Sequence, residues 1–231
     1  MKPYNITSPI HKILGFQSIF KSSFPFAPFR QLSSITAMDP NIARINSYWF
    51  EIDNPKKKWF NGGPEVDAEI KSQFSDLISD ARASKLTSWT EHPQGTLALL
   101  LLLDQFPRNI FRGTPDAFSS DATALDIAVT GLAKGQNKEL STWQQIFFQL
   151  PLMHDERLIS QIACLALCEA MVARLGSDTE NDKFAEASLD SAKKHLEVIL
   201  RFRRFPGRNE ALGRESTPEE IEFLKEHPFG L

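Results

Sequence analysis

Thr96–Gln105 reads TLALLLLLDQ, and this stretch decides the fold. Every residue from Leu97 to Leu103 is apolar, so a helix built from it has no face that can meet water cheaply. It is expected to be a central helix covered on all sides by others. The run is also far shorter than the roughly 20 apolar residues that a membrane-spanning helix needs, so no membrane insertion is expected. Working outward, Val66, Ile70, Phe74, Ile78 and Ala81 fall on one face of a helix that starts near Pro64. Further helical patterns cover Asp39–Glu51, Asp121–Ala133, Ser141–Leu150, Leu158–Leu175 and Asp182–Phe202, separated by Gly, Pro, Ser or Asp. A last helix opens at Thr217, with Glu220 at capping-box spacing. No segment alternates with period two between hairpin turns. The expected fold is all-α, with seven to nine helices in antiparallel hairpins.

The chain divides at about residue 38. Residues 1–37 hold Lys2, Lys12, Lys21 and Arg30, many serines and no acidic residue, the composition of an organelle transit peptide for mitochondrion or plastid. Prolines 3, 9, 25 and 28 work against a long amphipathic helix there and leave a disordered tail as the other reading, with a cytoplasmic protein as its consequence. The whole chain has a formal charge of −3; since the first 37 residues carry four of the cations and no acid, residues 38–231 stand at −7. Those residues are long enough for one well-filled domain. An acidic body provides no general field for nucleic acid, so a nucleic-acid partner is not expected. Cys164 and Cys168 lie four apart in an apolar helical run and read as a buried reduced pair, because a zinc site needs further ligands at metal spacing.

Polar chemistry is concentrated in three places. Asp104, Gln105, Arg108, Asn109 and Arg112 follow the leucine run. Charges that close to a core must be paired or used, so Asp104 and Arg108 form an internal ion pair or Arg108 and Asn109 present donors to an anion. Arg201, Arg203, Arg204, Arg208 and Arg214, with Asn209 and two phenylalanines, form a basic cluster suited to phosphate or carboxylate, or else a solvated face. His154 and Glu156 follow Pro151, which supplies a break that lets two residues at i and i+2 act together, and Gln161 follows on the next helix. His195 lies on the late helix. Phe-Pro-Arg-Asn at 106–109 and Phe-Pro-Gly-Arg-Asn at 205–209 echo each other. In both, proline is expected to push the preceding phenylalanine out of the helical region, and the two ends read either as two sides of one cleft or as a common way to stop an apolar helix. Phosphate-loop, dinucleotide, zinc-protease and serine-hydrolase motifs are all absent and no cofactor or metal is expected; a carboxylate and histidine metal site from Asp104, His154, Glu156 and His195 is the other reading, opposed by the adjacent arginines.

The strings LLLLLDQFPRNIFRGTPDAFSSDATAL, LPLMHDERLISQ and RFRRFPGRNEALGRESTPEEIEFL, with Tyr48-Trp49-Phe50 and Trp59-Phe60, resemble the uncharacterised family called domain of unknown function 924, over about Ile45 to Leu224. The resemblance implies an all-helical, tetratricopeptide-like fold and no established activity. It places family motif positions on Trp49, Trp59, Phe60, Asp104, Gln105, Arg108, Asn109, Arg112, Asp121, His154, Glu156, Gln161, His195, Arg204, Arg208 and Asn209. Arg203 stands where the family has glycine and Gly207 where it has histidine, and the second change removes a proton-transfer group beside Arg208.

The functional expectation is one pocket for a small anionic molecule. Arg108, Arg204 and Arg208 would clamp the anion, Asn109 and Asn209 would orient it, and His154 backed by Glu156 would move a proton. Asp104, Gln105, Arg112, Gln161 and His195 complete the expected binding set. Whether the protein is an enzyme stays open, and the alternative is a helical scaffold for a protein partner, since helical repeats expose concave faces.

Overall fold

The leucine run is buried as its composition demands: from Leu97 to Leu103 no residue is more than 2% exposed. In the computed structural model, residues 38–51, 58–59, 63–175 and 179–227 are described; the transit-peptide expectation falls on residues 1–37, outside them. The described residues contain eight α-helices and no strand. Helix α1 is Pro40–Phe50 and α2 is Gly63–Arg82, with Ile70, Phe74, Ile78 and Ala81 buried on one face. Helix α3 is continuous through Pro93–Leu100, Leu101–Gln105 and Phe106–Ile110. It is followed by α4 Asp121–Ala133, α5 Thr142–His154, α6 Leu158–Val172, α7 Glu180–Phe202 and α8 Pro218–Glu226.

Helix α3 packs against α1, α2, α4 and α5, which explains why it has no polar face. Helices α4 and α5 approach closely because Gly131 has no side chain: a Cβ there would sit 2.5 Å from the Phe148 ring. Local chemistry sets several starts. Ser141 with Gln144, Thr179 with Asp182 and Thr217 with Glu220 form capping boxes, each satisfying backbone N–H groups at a helix start. Cys164 and Cys168 are buried and unbridged.

Two prolines do not break their helices where the sequence led us to expect it. Phe106, before Pro107, keeps helical angles of −63° and −40°. The helix passes the proline by widening: Leu101–Gln105 is a π-turn in which the Phe106 N–H bonds the Leu101 carbonyl. A proline ring crowds the carbonyl four residues earlier and donates no bond, and the wide turn takes up that misfit. Pro151 lies inside the last turn of α5, and the break comes after His154, where Asp155 turns extended with ψ 136°. Phe205, by contrast, is extended with ψ 107°, as expected before Pro206.

Candidate functional site

The π-turn puts a carboxylate at the edge of the leucine core. Asp104 is 1% exposed. Its oxygens accept from Nδ1 of His154 at 2.8 and 3.0 Å and from the Gln105 amide, and Nη1 of Arg108 forms an ion pair with it at 2.9 Å. Burial pushes its pKa up, but the Arg108 charge, His154 and Gln105 outweigh burial and hold it well below the usual carboxylate range. Asp104 is therefore an ionised group deep in the protein, tolerated because His154 and Gln105 donate to it and Arg108 opposes its charge.

Arg108 spends its guanidinium on the same network. It grips both oxygens of Asp121, the first residue of α4, at 2.9 Å each, and Nη1 also donates to the Asp104 carbonyl at 2.9 Å. Arg208 reaches Asp121 at 3.4 Å and donates to the His154 carbonyl at 2.8 Å. Its guanidinium carbon lies 4.9 Å from the centre of the Phe118 ring and 4.6 Å from that of Phe205. Burial and the nearby charge of Arg108 lower its pKa to about 10. Asp104, Arg108, Asp121 and Arg208 thus alternate in sign and cancel.

His154 ends α5, and its position is fixed from both sides. Gln161, fully buried, donates to the carbonyls of Leu152, Met153 and Asp155 at 3.2, 2.8 and 2.6 Å, so it satisfies the open end of the helix while Arg208 takes the His154 carbonyl. Because the Asp104 carboxylate can only accept, Nδ1 of His154 carries the hydrogen and Nε2 is left with its lone pair. Burial and the Arg108 charge outweigh Asp104 and lower the His154 pKa, favouring this neutral form.

Beside these groups lies a cavity of about 870 Å³. Gln105, Arg108, Asn109 and Arg112 line it from the end of α3, His154 from α5, and Lys183, Ser188, Ser191 and His195 from α7. Trp59, Ile146, Phe147, Leu150, Met153, Phe184 and Ala187 form the apolar part of its wall. Asp67 of α2 holds two of the polar residues from behind: Arg112 at 2.9 and 3.0 Å and the Asn109 amide at 3.0 Å. No Asp or Glu lines the cavity among the described residues. Nor does any group of three or more His, Cys, Asp or Glu there have the arrangement to hold a metal ion.

Several expected site residues lie elsewhere. Glu156 does not back His154; Asp104 does. Because the helix runs on to His154, Glu156 falls in the link beyond, where its carboxylate pairs with Arg214 at 2.8 and 2.9 Å and accepts from the Phe205 N–H at 2.8 Å. Arg204 grips Glu220 at 2.6 and 2.7 Å and donates to the Glu215 carbonyl at 2.8 Å. Asn209, 1% exposed, donates to Ser216 and Glu220 at 3.0 and 3.3 Å. Asp104, Arg204, Asn209, Glu156, Gln161 and Arg208 are not among the described residues that line the cavity. Sequence reasoning missed Asp67 and Lys183 and, as a partner for both arginines, Asp121. One signal was available: Phe184, Ala187, Ser188, Ser191 and His195 fall on one face of α7 at helical spacing.

The chain matches, over residues 45–228, a family described as a bacterial protein of unknown function, DUF924. It is also similar to a solved structure of a protein of unknown function, ATU0120 from Agrobacterium tumefaciens. Identity is 33% across 81% of this chain and 98% of that one, with a TM-score of 0.70. No curated protein compared with it matches. The family match takes in α2 to α8 and every residue placed around the cavity, and the chain belongs to the DUF924 family.

Proposed function

We propose that the cavity binds a small amphipathic organic anion and that His154, oriented by Asp104, exchanges a proton with it. The observation that carries this reading is the charge of the lining: Arg108, Arg112 and Lys183 face the cavity, and none of its described lining residues is acidic. Arg108 is buried between Asp104 and Asp121, so the anionic end of the ligand falls to Arg112, held from behind by Asp67, and Lys183, 3.7 Å from Glu180, whose side chains are 58% and 64% exposed. The apolar wall then takes a hydrocarbon or aromatic body, the usual division of labour in a small-molecule pocket. A carboxylate–imidazole pair beside it has the form of a general base.

A thermal-shift screen of organic carboxylates and phosphates tests the reading, because selective binding to the folded state raises its melting temperature. Wild type is expected to be stabilised by members with an apolar body, and Arg112→Ala combined with Lys183→Ala to lose most of that shift. His154→Ala is expected to keep binding and, in any turnover assay built on the ligand found, to lose roughly two to four orders of magnitude in rate. If no anion stabilises the wild type, the pocket reading falls and a protein-binding scaffold takes its place.

Residues 1–37 are proposed to direct the protein to an organelle. Their basic, serine-rich composition supports this, as does a family match that begins only at residue 45. A fluorescent reporter fused to residues 1–37 should then collect in mitochondria or plastids; a diffuse signal would reject the idea.

A further inference from the structure

His195 repeats the chemistry of His154 on the α7 wall of the cavity. Its Nδ1 lies 2.8 Å from the Ser191 carbonyl, which can only accept. Nδ1 therefore carries the hydrogen, and in the neutral ring Nε2 is a bare acceptor. The Phe205 ring meets the imidazole edge-on at 5.4 Å and helps hold its plane. Burial, the largest effect, lowers the His195 pKa, and the Arg208 charge adds to it. Each histidine thus has one nitrogen anchored by an acceptor of the protein. Neither Nε2 has a hydrogen-bond partner among the described residues, and neither is among the buried polar atoms sealed away without one. Both side chains line the same cavity, so both lone pairs are open to whatever enters it.

Two acceptors facing one partly apolar space call for a ligand that brings donors, because an acceptor covered by a ligand and left unmatched loses its hydration for nothing. We propose that His154 and His195 form a paired acceptor subsite for ligand hydroxyl groups, so that the anion held in the cavity is a hydroxylated one. This rests on the pocket reading above and adds the identity of the ligand's polar groups. A cationic donor fits poorly. Arg108, Arg112 and Lys183 line the cavity and none of its described lining residues is acidic, so an ammonium or a metal ion would enter a field of its own sign. A neutral hydroxyl donates without that repulsion. Ser191, which donates its own hydroxyl hydrogen to the Ala187 carbonyl at 2.9 Å, adds a third acceptor, an oxygen, on the α7 wall.

The test uses the full chain and two kinds of measurement. Nitrogen-15 NMR of the imidazoles, with His154→Ala and His195→Asn for assignment, should show both rings neutral at pH 7 with hydrogen on Nδ1. An Nε2–H form at either ring overturns the subsite whatever the binding data show. Calorimetric titration then compares benzoate with 3,4-dihydroxybenzoate and hexanoate with gluconate. At least one hydroxylated member is expected to bind about ten-fold or more tighter than its partner, since a site built to pair a hydroxyl discriminates against its loss. In His195→Asn the amide can still donate to the Ser191 carbonyl while the Nε2 acceptor is gone, and the advantage should shrink several-fold. Equal binding within both pairs, or an advantage unchanged in His195→Asn, defeats the subsite and leaves the anion pocket standing. No binding by any of the four, together with no hit in the wider anion screen, defeats both; no binding by these four alongside a hit that carries no hydroxyl defeats the subsite alone.

Discussion

Phe106-Pro107-Arg108-Asn109 and Phe205-Pro206-Gly207-Arg208-Asn209 are nearly the same words, yet the chain uses them in opposite ways. At the first, the helix widens into a π-turn and carries on, and the Asn109 and Arg112 side chains reach the cavity wall. At the second, the helix stops. Arg203 takes the left-handed conformation with φ 62°, Phe205 turns extended, and the segment folds back under Glu156–Arg214, Arg204–Glu220 and Asn209–Ser216 contacts. The two arginines still converge, since Arg108 and Arg208 both reach Asp121. The lesson is that an Arg-Asn pair after a proline says nothing about role until the path of the backbone past that proline is known. One end supports a cavity, and the other locks the C-terminal arm onto the body.

Breaking each end should expose the difference. Asp104→Ala is expected to have the largest effect, about 3–5 kcal/mol of stability in urea denaturation, because it leaves Arg108 and Arg208 sharing the single carboxylate of Asp121 in the interior. Glu220→Ala, in the second region, should cost clearly less, since Arg204 can turn to water; a larger loss there would reverse the comparison. Arg214→Ala should cost about 1–2 kcal/mol, speed hydrogen exchange over residues 203–217, and leave anion binding unchanged.

Acid should also separate the regions. His154 and His195 have pKa values below the ordinary 6.5, mainly through burial, so the folded state resists a proton that the unfolded state accepts. Their contribution is full above about 6.5 and is lost as pH falls below it. Glu220 is lowered to about 2 from the ordinary 4.5, chiefly by its hydrogen bond from Arg204. Its contribution is present above 4.5 and lost only as pH falls towards 2. Melting temperature against pH should therefore show a first decline below 6.5 that His195→Asn reduces, and a second below 4.5 that Glu220→Gln reduces. The smallest effect is expected at Arg203. Its positive φ at the end of α7 favours glycine, so Arg203→Gly should stabilise by about 0.5–1 kcal/mol.

Legibility followed the range of the interactions. The leucine run, the α2 stripe and the Thr217–Glu220 cap depend on neighbours within a turn or two, and each is found as the spacing indicated. Asp104 and Arg108, four residues apart, were readable as a pair for the same reason. The partnerships that define the site cross the chain: His154 with Asp104 spans 50 residues and Arg208 with Asp121 spans 87. With Glu156 two residues away, the nearer carboxylate looked like the natural partner of His154, but the extra length of α5 carries it past. Prolines misled in one direction only, because a sequence shows the bond a proline loses and hides the π-turn that absorbs it.

The most direct test of the division between the two ends is an amide and side-chain NMR titration of the full chain with the best stabilising anion. The account predicts shift changes confined to Gln105, Asn109, Arg112, His154, Lys183 and His195, with Arg204, Asn209 and Arg214 unmoved. Changes centred on Arg204, Asn209 and Arg214 would contradict it and make the second Arg-Asn end the site.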